Sequence, residues 1–173
     1  MPKVIENVRE QLLKEARNQV AKNGYRKTTV RSVAGACNIA VGTVYNYFKS
    51  KDMLIASFMA DDWIQCIDNI KSRPSPDAET ALHNIYDGLL SFSKKHEALF
   101  SDRDAAKVYA SVFSQRHKML RSQLAKIIQP VCLSSSIEDK AFLAEYMAES
   151  ILRWTMEGKS FSDQFHIMRQ LLK

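Results

Sequence analysis

Only five glycines and four prolines interrupt this chain of 173 residues, and between them apolar residues recur every three or four positions. That spacing lines apolar side chains along one face of a helix, whereas the two-residue alternation of a strand is scarce. A chain punctuated in this way buries a core mainly by packing helix on helix. The expected fold is therefore all-α, with about nine helices. The hydrophobic share of 46% and charged share of 25% are those of an ordinary globular protein. No run of about 18 apolar residues offers a membrane span.

The boundaries follow from capping chemistry. A first helix from Val4 carries a stripe of Ile5, Val8, Leu12, Leu13, Ala16 and Val20. It ends at Asn23-Gly24, two residues that tolerate the left-handed conformation. Thr28 to Phe48 reads as two short helices joined by a tight turn. Ser50 is the expected cap of a long helix from Lys51 to about Ser72. Ser75, followed by Pro76 at the first helical position, opens the next, which runs to about Lys95. Ser101 with Asp104, and Ser136 with Asp139, have capping-box spacing and open two further helices, ending at Gln129 and near Gly158. A last helix spans roughly Phe161 to Leu172. The expected division is a helix-turn-helix domain over residues 1–50, with the motif itself at about 30–49, and a helical regulatory and dimerisation domain over 51–173.

Charge is unevenly distributed. Residues 1–51 carry ten Lys and Arg against three Glu, a net +7, while the remainder nets −1, so the whole excess behind the chain's +6 lies in its first third. Such asymmetry points to a polyanion partner for that part alone, or to a solvated basic face. Three widely spaced cysteines with no CxxC pair suit neutral thiols in a reducing compartment, and the charged N-terminus MPKVIENVRE lacks the apolar stretch of a signal peptide. A cytoplasmic location is expected. No phosphate-binding loop, dinucleotide fingerprint, nucleophile elbow or HExxH appears, so an enzyme is not expected. His83, His96, His117 and His166 are too scattered to suggest a metal site, and no cofactor is called for.

The segment Thr28–Phe48, TTVRSVAGACNIAVGTVYNYF, carries the chemistry. In a helix-turn-helix the first helix braces the second, whose side chains enter the major groove. Helices crossing closely need small residues, which Ala34 and Cys37 supply. The turn needs a residue that accepts positive φ, and Asn38 does so. Val33, Ile39, Val44 and Phe48 have the spacing to pin the second helix. That leaves Val41, Gly42, Thr43, Tyr45, Asn46 and Tyr47 to face DNA, with Lys49 and Lys51 supplying nonspecific attraction. Tyr47 could instead pack inward, and Arg31 could be a solvated charge.

Further on, the helix at 137–157 has an apolar arc of roughly 180°, wider than the ~100° needed to pack on its own domain. The arc includes Ala141, Ala144, Ala148, Ile151, Leu152 and Thr155, and the last helix adds Phe161, Phe165, Met168 and Leu172. These residues are the expected self-association surface; the alternative is a central helix buried within one subunit.

The string GYRKTTVRSVAGACNIAVGTVYNYFKSKDML resembles the DNA-binding region of TetR-family transcriptional regulators. Thr29, Val33, Ala34, Cys37, Asn38, Ile39, Ala40, Gly42, Thr43, Tyr45, Phe48, Lys49 and Lys51 match the family pattern over residues 5–55. Asn38 replaces the usual turn glycine and Ala40 the usual serine, which removes a side-chain cap worth ~1 kcal/mol. The resemblance implies phosphate contacts from Thr29, Thr43, Tyr45, Tyr47 and Lys51. It implies base-edge contacts from Arg31, Val41, Gly42, Thr43 and Asn46, with Arg31 suited to a guanine. It also implies that the C-terminal helices dimerise and bind a small ligand that resets the spacing of two heads, the helix from Lys51 serving as lever. Phe58, Met59, Trp63, Tyr86, Phe92, Tyr109, Phe113 and Met119 are the candidate pocket residues, although the same spacing describes plain core. The expected function is a homodimeric, ligand-released repressor of a pseudo-palindromic operator. Its partners would be double-stranded DNA, a second copy of itself and a small effector, with no membrane. An activator or chromosome organiser of the same fold is the alternative, and a protein-only adaptor is a more distant one.

Overall fold

The computed structural model describes residues 7–173, apart from the side chains of residues 107–116. The expected start of the first helix at Val4 lies outside the described residues, as do the side chains of Tyr109 and Phe113. The described residues form nine α-helices, one 3-10 turn and no strand. In chain order these are α1 (Val8–Lys27), α2 (Val30–Ala36), α3 (Val41–Tyr47), α4 (Lys51–Ser72), α5 (Ala78–Lys95), α6 (Glu97–Phe100) and α7 (Arg103–Ile128). The 3-10 turn (Gln129–Ser134), α8 (Lys140–Met156) and α9 (Phe161–Leu171) follow. Gly24, at φ 78° and ψ 172°, breaks α1 at the expected place, and the remaining residues to Lys27 form a turn. No described helix is long and apolar enough to cross a membrane.

Three helices start later than the serine signals imply, because an aspartate does the capping. Asp77 Oδ1 accepts from the Thr80 amide at 2.7 Å and opens α5, leaving Ser75 and Pro76 outside the helix. Asp102 Oδ1 accepts from the Asp104 and Ala105 amides at 2.9 and 3.0 Å. Ser101 instead donates to the Glu97 carbonyl and closes α6. Asp139 accepts from the Phe142 amide at 2.8 Å, so α8 begins at Lys140 and not beside Ser136. Hydrogen bonds from backbone amides hold the exposed carboxyls of Asp77 and Asp102 below the usual carboxylate range.

The chain divides into two compact units that are not contiguous in sequence. The first comprises residues through Asp62 together with Lys95–Tyr109, and the second comprises Trp63–Lys94 and Ala110–Lys173. Leu12, Leu13 and Ala16 of α1, Val33 and Ala34 of α2, Val44 of α3, and Leu54, Ile55 and Phe58 of α4 are buried in the first unit, with Leu99 of α6. In the second, α4 and α5 approach so closely that a Cβ on Gly88 would lie 2.7 Å from the Ile70 side chain. The Trp63 indole donates to Gln123 Oε1 at 2.6 Å and meets Phe92 edge-on at 5.4 Å. Cys132 of the 3-10 turn sits under α8 with its sulfur 3.8 Å from that of Met147.

The cysteines are all free. Burial pushes the Cys66 thiol up to about 11 and raises those of Cys37 and Cys132, so near neutrality they are uncharged and poor nucleophiles.

The expected self-association residues and pocket residues differ widely in exposure. Ala144, Ala148, Ile151, Leu152 and Thr155 of α8, and Met168 of α9, are buried by the chain itself. Ala141 is exposed, and Phe161, Phe165 and Leu172 are half-buried, with Phe161 packed on His83 and Tyr86 of α5. What α8 and α9 present outward is a different set: Phe142 (65% exposed), Tyr146 (53%), Trp154 (45%) and Ile167 (60%). Tyr146, Trp154 and Ile167 flank a cavity of about 350 Å³ also lined by Met147, Gln164 and Met168. Among the candidate pocket residues, Phe58 and Met59 are core of the first unit and Trp63 and Phe92 core of the second, while Met119 is half exposed. Tyr86 is half-buried in the aromatic group with His83 and Phe161.

Candidate nucleic-acid interface

The reading head is assembled by short-range hydrogen bonds that leave little freedom. Thr28, fully buried, donates its hydroxyl to the Gly24 carbonyl at 2.9 Å and sets the entry into α2. Thr29 and Ser32 then form a reciprocal capping box, each hydroxyl accepting from the other's amide at 2.9 Å. The Ser32 hydroxyl donates to Gln19 Oε1 at 2.6 Å and the Gln19 amide donates to the Ser32 carbonyl at 3.2 Å, fastening α2 to α1. Ala34 is small enough to be fully enclosed, and the Cys37 sulfur lies 3.7 Å from the Gln11 carbonyl.

Asn38 takes the turn at φ 55°, as its residue type suggests. Ile39, Val44 and Phe48 are buried and hold the inner face of α3. Arg9 covers the Phe48 ring from 6.0 Å. The cap position of α3, Ala40, gives no side-chain hydrogen bond to the helix.

Because α3 is pinned on one face, its other face is fixed in solvent. Tyr45 and Tyr47 are 46% and 48% exposed, Gly42 and Asn46 are exposed, and Val41 and Thr43 are half-buried. Thr29, Arg31 and Lys49 are exposed as well. The Thr29 oxygen already accepts the Ser32 amide, so its O–H is what remains to offer a phosphate.

Lys51 is placed differently from its neighbours. Its Nζ donates to the Tyr25 carbonyl at 3.1 Å and lies 3.6 Å above the Tyr25 ring. The Tyr25 hydroxyl donates to Asp52 Oδ1 at 2.6 Å. Burial, and then Asp52, push that hydroxyl far above its ordinary range. Tyr25, legible in the sequence only as an aromatic after Gly24, is thus the joint between the end of α1 and the start of α4.

A second joint ties α1 to α4 and α6. Asp62 of α4, its side chain almost wholly buried, accepts from Arg17 of α1 through two nitrogens at 2.8 and 3.1 Å. Lys95 Nζ lies 3.0 Å from one carboxylate oxygen and His96 Nε2 3.1 Å from the other. The His96 ring stacks on Phe58 at 5.9 Å, and Arg17 lies 5.3 Å over the same Phe58. Burial by itself would raise the Asp62 carboxyl, but the bonds from His96, Arg17 and Lys95 outweigh it and hold the group well below the carboxylate range. In the sequence Asp61-Asp62 reads only as solvated charge, because the partners Arg17, Lys95 and His96 are 45, 33 and 34 residues away.

A braced, outward-facing α3 on a basic head is the geometry of a helix-turn-helix. Residues 12–58, which contain α2 and α3 complete, match the family model of bacterial regulatory proteins, tetR family. The chain carries a TetR-family DNA-binding domain. Beyond the TetR-type head, it is 28% identical over 119 residues to the fatty acid metabolism regulator protein of Bacillus subtilis, covering 69% of this chain and 59% of that protein. It is 36% identical over 58 residues to the HTH-type transcriptional repressor KstR2 of Mycolicibacterium smegmatis, covering 32% of this chain and 28% of that one. The chain therefore matches less than two thirds of the length of either relative, one named a regulator and the other a repressor.

The fold is similar to that of the fatty acid degradation regulator FadR from Bacillus halodurans, with a TM-score of 0.56 at 19% identity over 98% of this chain and 96% of that one. It is similar also to that of a TetR-family transcriptional regulator from Streptomyces coelicolor, with a TM-score of 0.61 at 14% identity, over 95% and 94%.

Proposed function

We propose that the chain is a homodimeric repressor, acting in the cytoplasm, that binds a pseudo-palindromic operator and is released by a small ligand. The observation that supports this most is the outer face of α3. Two half-exposed tyrosines, an exposed asparagine and an exposed glycine stand on a helix whose opposite face is fully buried. Exposed aromatic rings gain nothing from water, and tyrosine hydroxyls are good phosphate donors. In this reading Thr29, Thr43, Tyr45 and Tyr47 hold phosphates. Arg31, Val41, Gly42 and Asn46 approach base edges, and Lys49 adds nonspecific attraction. Lys51 serves by holding the Tyr25 joint.

Dimerisation would use the outward aromatic ridge of α8 and α9, so that two heads meet successive major grooves about 34–36 Å apart. Helices α4 and α7 each contribute residues to both compact units, which gives a ligand bound in the second a covalent route to the head. The effector then acts by binding one head spacing better than another.

Selection of bound fragments from genomic DNA tests the reading. Recovery of a shared inverted repeat is expected, and a Tyr45→Ala, Asn46→Ala double variant should lose at least tenfold in affinity for it while keeping its helix content. Enrichment without any shared sequence would favour a chromosome organiser. Equal binding by the double variant would remove α3 from the interface.

A further inference from the structure

The second unit holds a cavity of about 600 Å³ where the end of α4, the start of α5 and the end of α7 meet. Its floor is apolar, formed by Ile70, Ile127 and Val131, and its wall carries Lys71, Arg73 and Lys126. We infer that this cavity binds a small amphipathic anion, its apolar part against Ile70, Ile127 and Val131 and its charged group among the three cations.

The inference rests on an imbalance of charge beside apolar surface. The carboxylate in the lining, Asp77, accepts the Thr80 amide as the cap of α5 and offsets one of the three cations, which leaves the lining net positive. Arg73 has Asp87 at 3.8 Å, an exposed and weak pair. Lys71 and Lys126 form no ion pair among the described residues. Each lies in the last turn of its helix, where it offsets the terminal carbonyls. Helix ends alone would be served equally well by ammonium groups pointing to open water. Here both, although exposed, line one concavity with an apolar floor, so that cationic groups converge beside apolar surface. A cation would be repelled, a neutral apolar molecule would leave the ammonium groups unmatched, and a plain inorganic anion would leave the floor wet. An anion with a short apolar tail answers both halves.

The site is argued from the second unit alone, so it stands or falls separately from DNA binding. Titrating the full chain with octanoate, and following backbone amide shifts by NMR together with heats of binding, tests it. Octanoate is expected to bind, with shifts concentrated in residues 70–81 and 126–134. Octyltrimethylammonium and inorganic phosphate, which share only the tail or only the charge, should bind at least tenfold more weakly. Lys71→Gln with Lys126→Gln should weaken octanoate about tenfold while lowering the melting temperature only slightly, by the loss of two helix-end charges. A Val131→Trp variant should block it by filling the floor. The inference is overturned if the ammonium or the phosphate matches octanoate, if the double lysine variant binds normally, or if the shifts lie elsewhere.

Discussion

Gly42 has no internal reason to be glycine. A Cβ there would meet nothing within 4 Å, and its φ lies outside the left-handed range. Alanine is favoured over glycine inside a helix by up to about 1 kcal/mol. Gly42→Ala should therefore raise the urea midpoint slightly while weakening duplex binding several-fold, because the added methyl stands where the backbone would approach DNA. Unchanged affinity in a fluorescence titration would put the DNA elsewhere.

Asp62 is the opposite case, a residue fixed from within. Asp62→Asn removes the one anion shared by Arg17, Lys95 and His96. The expected cost is about 2 kcal/mol, below the value for a fully buried pair because Arg17 and Lys95 keep part of their solvent. The sign of the pH effect follows from a carboxyl held low in the folded state. Its contribution is complete above the unfolded value of about 4, and it is lost as pH falls from there through the folded value. Urea midpoints measured from pH 6 to pH 2 should fall more steeply for the wild type than for the variant; parallel curves would show that Asp62 does not carry the acid limb.

At the scale of elements, the all-α fold and the helix-turn-helix were legible because both are written locally. Gly24 and Asn38 mark two of the positive-φ positions, and Val33, Ile39, Val44 and Phe48 have the spacing of an inner face. Helix starts were less legible because serine and aspartate cap about equally well. Which one is used depends on tertiary partners. Ser50 caps α4 because the nearby Asp52 is taken by the Tyr25 hydroxyl, whereas Asp102 and Asp139 are free to cap and displace the serines before them. Asp139→Ala should accordingly destabilise the chain by about 1 kcal/mol, and Ser136→Ala by less than about 0.5. Denaturation of the two single variants checks this, and the reverse ranking would restore the serine cap. The aromatic ridge of α8 was hidden for a similar reason. Periodicity located an apolar arc, but only the packed chain decides that Ala144, Met147, Ala148 and Ile151 are enclosed while Phe142 and Tyr146 are not.

At the scale of the molecule, the positive charge of residues 1–51 is paired with an apolar surface far along the sequence. Phe142, Tyr146 and Trp154 lie along one ridge of α8 at multiples of four residues, and Ile167 of α9 stands beside the groove that Tyr146 and Trp154 also line. Gln164 lies in that groove, more than nine-tenths buried, with Nε2 bonded to Lys159 and Thr155 and Oε1 unpartnered among the described residues. A monomer would hold these rings against water at a cost of several kcal/mol, since exposed aromatic surface is unfavourable. A two-fold contact through the same surface would cover the rings and double the DNA-binding heads. The chain is expected to sediment as a dimer at micromolar concentration. Tyr146→Glu with Trp154→Glu, which places like charges against each other across such an axis, should yield a folded monomer. Its affinity for an inverted repeat should fall by about a hundredfold or more, because the second head no longer binds at high effective concentration, while its affinity for a single half-site should stay within about twofold of the wild type's. Sedimentation of the wild type as a monomer, or equal loss on the half-site and the full repeat, would separate this surface from DNA recognition.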